Sequence, residues 1–333
     1  MAEPLRVLSG MQPTGELHLG NYLGALKQWV ALSKDESLDT FFCVVDAHAI
    51  TVDYEPADLR RRVIDCVATY VAGGIDIERS TLFLQSDVPQ HTELAWYLTC
   101  VTPMGDLQRM TQFKDKSDQH KQNVNAGLFT YPVLMAADIL VYRAQVVPVG
   151  DDQVQHLELA REITRKFNAR FGPVFPEPQP RLSRTPRILG LDGKAKMSKS
   201  LNNTISLLDP PETIRKKLKG AFTDPQKLKR NDPGRPEICN VFTMHTALSA
   251  PARVAEIEVN CRSGALGCGD CKQMLGDAMI AELEPIRDKT LELRAEPKRV
   301  LQVLRDGGAR ARGAAETTMK DVRAAMGLTT AEP

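Results

Sequence analysis

Short apolar runs that alternate with helical patterns constrain this chain more than any other feature. Leu5 to Ser9, Thr40 to Val45, Thr81 to Leu84 and Gln145 to Val149 are apolar or β-branched runs of strand length. Helical patterns lie between and after them. Leu17 to Leu32 carries apolar residues at Leu19, Leu23, Leu26 and Val30, and Pro56 to Ala72 opens on a proline suited to a first turn. Tyr131 to Tyr142 is an apolar helix interrupted by Asp138, and Gln153 to Phe171 follows the fourth run. The expected fold class is therefore α/β, with a doubly wound parallel sheet joined by helical crossovers. Ligands in such sheets bind beyond the carboxyl ends of strands, here the loops after Ser9 and Val149.

The pattern changes near residue 172. Gly172 to Pro186 holds five prolines and reads as an extended connector. Beyond it Pro211 to Lys219, Pro251 to Val259, Cys271 to Arg294, Pro297 to Leu304 and Gly313 to Met326 read as helices. The 333 residues suffice for about two domains. With 43 Lys plus Arg against 42 Asp plus Glu, the chain has no basic coat, so any nucleic-acid contact must be local. No run reaches the length of a membrane span and no signal peptide is visible, so a cytoplasmic location is expected.

Two loops carry phosphate chemistry. The first, Ser9-Gly10-Met11-Gln12-Pro13-Thr14-Gly15-Glu16-Leu17-His18-Leu19-Gly20-Asn21, leads from a strand into a helix start. Free backbone N–H groups and the positive end of the helix dipole favour phosphate there. Taken alone it reads equally well as an ordinary capped turn. The second, Gly193-Lys194-Ala195-Lys196-Met197-Ser198-Lys199-Ser200, is a cationic loop able to close over a triphosphate, or a solvated linker.

Together, His18-Leu19-Gly20-Asn21 and Lys196-Met197-Ser198-Lys199-Ser200 resemble the two signatures of class I aminoacyl-tRNA synthetases. Asn21 stands where the first signature ends in histidine. Ser9 to Gly15, Val45-Asp46-Ala47-His48-Ala49-Ile50-Thr51, Gly150-Asp151-Asp152-Gln153 and Ala324 to Leu328 extend the resemblance, specifically to the bacterial tryptophanyl-tRNA synthetases, over nearly the whole chain. It implies a Rossmann-like catalytic domain over 1–188, with a dimer-interface insertion near 89–131. A mobile loop over 189–205, a helical anticodon-binding domain over 206–300 and a C-terminal helix over 301–330 would follow.

The implied reaction joins tryptophan to the α-phosphorus of Mg-ATP, then transfers it to tRNA(Trp) in a homodimer. The implied ATP contacts are Gln12, Pro13, Thr14, Gly20, Asn21, Gly150, Asp151, Asp152, Ile188, Lys196, Met197, Ser198, Lys199 and Ser200. Catalytic roles fall to Lys196, Lys199, Asn21, His18, Gln12 and Lys116. An indole offers one N–H donor and no acceptor, which an acid at the end of an apolar pocket suits. Asp138 would take that N–H, with Met135 lining the ring pocket and Tyr131, Gln153, Gly10 and His48 completing the tryptophan site. A carboxylate already satisfied by a neighbour is the competing reading of Asp138.

Seven cysteines fall into two groups. Cys43, Cys66 and Cys100 have apolar neighbours and read as core residues. Cys239, Cys261, Cys268 and Cys271 are spaced by 21, 6 and 2 residues, among Gly264, Gly267 and Gly269. Four thiolates can ligate zinc or an iron–sulfur cluster. The resemblance extends to a subset of these synthetases with a four-iron, four-sulfur cluster at similar spacing, which favours the cluster over zinc. Arg253, Arg262 and Lys272 nearby are candidate phosphate contacts or simply solvated charges. Three other functions fit parts of the pattern: a tyrosine enzyme of the same fold, a nucleic-acid-binding or redox-responsive paralogue, and a small nucleotidyltransferase. The apolar Met135-Ala136-Ala137 floor disfavours the first, the complete Lys196–Ser200 pentapeptide the second, and the long helical C-terminal part the third.

Overall fold

A computed structural model describes residues 4–13, 15–110, 124–150, 153–182 and 188–328, without the side chain of Ser200. The apolar runs pair as strands β1 (Leu5–Met11), β2 (Leu38–Val44), β3 (Thr81–Leu84) and β4 (Val146–Val149). A fifth strand, β5 (Gln179–Leu182), extends the expected four. All neighbours are parallel, in the order β3-β2-β1-β4-β5. Side chains on successive strand residues face opposite layers. Phe42 and Val44 enter the core shared with the first helix and Pro56–Ala72, while Phe41 and Cys43 enter the core beneath Ala126–Leu140. Trp29 stacks on Phe42 at 4.8 Å, and Tyr142 stacks on Phe41 at 4.6 Å.

Several expectations shift at their edges. The first helix runs as Leu19–Asn21, a π-helical stretch Tyr22–Leu26, and Lys27–Ser33. The apolar helix starts earlier than expected, because the Asn125 side chain caps the Leu128 N–H at 3.0 Å. Short helices at Gln90–Thr99, Met104–Gln108 and Asn240–Leu248 add to the pattern. Cys43 and Cys66 are buried as expected. Cys100 is exposed, since it follows the last turn of Gln90–Thr99 where the apolar face ends.

The C-terminal part is helical: Pro211–Lys219, Pro251–Arg262, Cys268–Ala295 and Pro297–Met326. The two final helical segments are one element. Gly307 allows close approach rather than breaking it, for a Cβ there would collide with the Leu82 carbonyl oxygen in β3. Cys268–Ala295 also reaches back to the catalytic end. Glu282 accepts from the Tyr22 hydroxyl at 2.6 Å and from Lys27 at 2.8 Å, and Arg294 pairs with Asp65 at 2.8 Å. Among the described residues no helix is long and apolar enough to cross a membrane.

Candidate active site

The strand order reverses between β1 and β4, so their carboxyl ends part and leave a crevice. A cavity of about 710 Å³ fills it. Gly10 and Gln12 line it after β1, Gly150 and Gln153 after β4. Gly10 has to be glycine, because a Cβ there would lie 2.8 Å from a Val45 methyl. His18, Gly20 and Asn21 form a further wall.

His18 and Asn21 cap one another. The His18 backbone N–H donates to Asn21 Oδ1 at 3.1 Å, and the Asn21 N–H donates to His18 Nδ1 at 3.3 Å. Burial, and then the charge of Lys199, lowers the His18 pKa to about 4. The imidazole is therefore neutral at pH 7, and its accepting Nδ1 leaves the proton on Nε2. The substitution of asparagine for histidine at the end of the signature thus keeps a cap and leaves the Asn21 amide NH2 as a donor.

The second signature lies directly over the first. The Leu19 N–H donates to the Ile205 carbonyl at 2.8 Å, and the Leu207 N–H donates to the Leu17 carbonyl at 2.9 Å. Lys199 Nζ sits 3.1 Å from where a Gly15 Cβ would be, and Met197 is buried 3.4 Å from the same position on Gly20. Burial lowers the Lys199 pKa, against the opposing charge of Glu16. Ile188, Lys196 and Met197 line the cavity.

A residue absent from the sequence reading, Asn203, sets this loop. Buried, it accepts from the Ser198 N–H at 2.7 Å and donates to the Lys196 carbonyl at 3.2 Å and to Asp192 at 3.3 Å. Gly190 makes room for it, since a Cβ there would lie 2.1 Å from Asn203 Nδ2. Only the side-chain type of Asn203, three residues past the pentapeptide, hinted at this.

Tyr131, Met135 and Asp138 lie four and three residues apart on Ala126–Leu140, on one face, and all line the cavity. Tyr131 is hydrogen-bonded to His156 at 2.7 Å, and burial pushes its phenol up to about 12. Asp138 is buried but well partnered. Oδ2 accepts from His48 Nε2 at 2.8 Å; Oδ1 accepts from Gln85 Nε2 at 2.7 Å and His91 Nδ1 at 2.6 Å. Burial pushes this carboxyl up, but the charge and hydrogen bond of His48, then those of His91, outweigh it and hold it far below the usual range. The geometry thus shows the competing reading, a carboxylate satisfied by its neighbours. A carboxylate offers about four acceptor directions. Among the described residues three are filled, and the fourth, on Oδ2, remains.

The family described as tRNA synthetases class I (W and Y) matches residues 1–284. The chain belongs to this family. The tryptophan–tRNA ligase of Deinococcus radiodurans is 46% identical over 326 residues, covering 97% of this chain and 98% of that one. That of Parasynechococcus marenigrum is 48% identical, with 97% and 98% covered. Among solved structures, the tryptophanyl-tRNA synthetase of Campylobacter jejuni complexed with ADP and tryptophan superposes with a TM-score of 0.86 at 37% identity, covering 97% of this chain and all of that one.

In this synthetase the remaining expected residues divide clearly. Pro13 is buried beside the cavity rather than lining it, and Ser198 engages Asn203 through its backbone. Thr14, Lys116, Asp151 and Asp152 lie outside the described residues, as does the Ser200 side chain. The sequence reading missed Gln85, His91 and Tyr142, which come from separate elements with no local signature.

Cys239, Cys261, Cys268 and Cys271 line one small cavity with Lys227 and apolar Val241, Phe242, Ile257 and Leu266. All four are free thiols. Burial pushes Cys271 up to about 12, with the neighbouring Cys239, Cys261 and Cys268 adding to it, and burial likewise raises Cys239 and Cys261. Among the described residues no group of three or more His, Cys, Asp or Glu side chains is set to hold a metal ion.

Proposed function

We infer that this chain is a tryptophan–tRNA ligase, with the large cavity holding tryptophan and ATP side by side. The observation that carries the tryptophan assignment is the last open acceptor direction on buried Asp138, at the wall of a cavity lined by Met135, Ile139 and Val147. An indole N–H fills it. A tyrosine hydroxyl fills it as a donor, but its oxygen then finds no donor on Asp138. Tyr131 and Gln153 hold the amino group or carboxylate, and Gly10 and His48 complete the substrate wall.

ATP, entering as its magnesium complex, lies toward Gln12, Gly20, Asn21, Gly150 and Ile188, and the resemblance adds Pro13, Thr14, Asp151 and Asp152 as contacts. The tryptophan carboxylate oxygen forms a bond to the α-phosphorus as the bond to the β-phosphate oxygen breaks, giving tryptophanyl-adenylate and pyrophosphate. His18 Nε2–H, the Asn21 amide, Gln12, Lys196 and Lys199 are donors or cations for the growing negative charge, with Met197, Ser198, Ser200 and Lys116 as further contacts. The terminal ribose hydroxyl of tRNA(Trp) then attacks the activated carbonyl and AMP leaves. No protein nucleophile takes part; catalysis is positioning and electrostatics.

The four thiols suit an iron–sulfur cluster. Gathered on one cavity, four thiolates would repel one another, and a cationic iron core would relieve that repulsion. The spacing of the four cysteines, similar to that in the cluster-bearing synthetases, favours the cluster over zinc. The cluster reading covers the helical region assigned to the anticodon. Trp96 and Met104, 66% and 62% exposed, support a homodimer through the 89–131 segment, and the free cysteines fit a reducing cytoplasm.

Charging of a tRNA pool with each radiolabelled amino acid tests the assignment. Only tryptophan should become acid-precipitable, on one tRNA species; tyrosine charging refutes it. Protein purified without oxygen should be brown and yield iron and acid-labile sulfide, whereas colourless zinc protein refutes the cluster.

A further inference from the structure

Asp138 recognises an indole only if its open lone pair is held in one direction, and the carboxylate sits on a single rotatable stem. The residues that fix it lie behind the cavity. Gln85 follows β3 in a short 3-10 turn, Gln85–Asp87, and its Oε1 accepts the Ala47 N–H at 3.1 Å. That bond fixes the amide so that Nε2 must face Asp138 Oδ1. His91 has no exposed surface. Its Nδ1 must donate, because an ionised carboxylate only accepts. Its Nε2 lies 2.7 Å from the hydroxyl of Tyr142, whose phenol burial holds well above its ordinary range and therefore protonated. Tyr142 in turn is locked by stacking on Phe41 at 4.6 Å. His91 thus bridges the two, its Nε2 paired with the Tyr142 hydroxyl and its Nδ1–H donating to Asp138 Oδ1.

We propose that Gln85 and His91, with Tyr142 behind His91, are specificity-positioning residues. They saturate Asp138 Oδ1 and so aim at the indole N–H the Oδ2 acceptor direction that no described residue fills. None of the three is placed against the substrate. Gln85, His91 and Tyr142 are absent from the cavity wall, whereas Asp138 and His48 are on it. Loss of either donor leaves Oδ1 with an open lone pair, and the carboxylate can then turn or recruit water. The discrimination between a ring with an N–H and an isosteric ring without one should fall, while binding of the rest of the substrate is kept. The inference rests on the tryptophan assignment.

The test compares L-tryptophan with 3-(3-benzothienyl)-L-alanine, in which sulfur replaces N–H, as substrates for ATP–pyrophosphate exchange. The ratio of their kcat/KM values is internal to each variant, so a general loss of folded enzyme cancels. His91→Leu and Gln85→Leu should each shrink the ratio about tenfold, the size of one charge-assisted hydrogen bond. His91→Asn, whose amide can take the place of Nδ1–H, should restore most of it. Tyr142→Phe should shrink it less than His91→Leu. Should one leucine variant fail to fold, the other and Tyr142→Phe decide. A ratio equal to the unmodified enzyme's in the variants that fold overturns the proposal. An unmodified enzyme without tryptophan-dependent exchange overturns the underlying assignment instead.

Discussion

Replacing Asp138 by asparagine changes one oxygen to NH2 at a site where every partner is a donor. His48, Gln85 and His91 approach the two oxygens at 2.8, 2.7 and 2.6 Å. Gln85 cannot turn its amide without releasing the Ala47 N–H, and His91 is held on its far side by the Tyr142 hydroxyl. His48 has no such second constraint, so the new NH2 should settle on its side, the side of the open lone pair. The indole N–H then meets a donor. Losing a hydrogen bond to a charged acceptor costs about 1.5–3 kcal/mol, a fall of about 12- to 150-fold in kcat/KM for tryptophan. The KM for ATP should stay near its original value, because the phosphate loops lie elsewhere in the cavity. ATP–pyrophosphate exchange with tryptophan and ATP varied in turn measures both. An Asp138→Asn enzyme with unchanged kcat and KM for tryptophan would refute the role.

His18 should titrate near pH 4 by histidine-resolved NMR rather than at its ordinary 6.5. The unfolded chain takes up that proton first as pH falls, so the neutral ring's contribution to stability is complete above pH 6.5 and declines toward pH 4. A midpoint near 6.5 contradicts the half-buried, neutral reading. Asn203→Ala removes two backbone anchors of the second signature, each worth about 1 kcal/mol, and should lower kcat for exchange about tenfold while leaving tryptophan binding by fluorescence unchanged. Gly190→Ala should reproduce that split by displacing the same side chain; a matching loss of tryptophan affinity in both would point to global damage. Gly307→Ala forces a methyl against the β3 backbone and should destabilise the fold by about 3 kcal/mol or more, read as a lower urea midpoint. An unchanged midpoint would mean that the last helix does not pack there.

The sheet was legible where strands are buried on both faces. β1 to β3 of the expected pattern agree with the structure within a few residues because parallel strands between two layers read as unbroken apolar runs. β5 was hidden for the converse reason. Its residues Gln179–Leu182 are all exposed and include Pro180, which an edge strand tolerates and a sequence pattern reads as a connector. The paired glycines Gly307 and Gly308 suggested a break for which helix propensity argues; packing on β3 overrides it. At the site, Asp138 was conspicuous as an acid in an apolar helix, and the two signature loops as local strings. Of its partners only His48 was named, through the resemblance; Gln85 and His91 were not, because they reach the carboxylate from 53 and 47 residues away. Only the folded sheet brings those elements to one edge. The four cysteines on the small cavity were, by contrast, grouped from their spacing, although Cys239 lies more than 20 residues before the other three.

ATP–pyrophosphate exchange measured with each of the twenty amino acids in turn tests the central claim most directly. The account predicts exchange that depends on tryptophan and stays at background with tyrosine and phenylalanine. Exchange driven by tyrosine, or none with any amino acid, would contradict it.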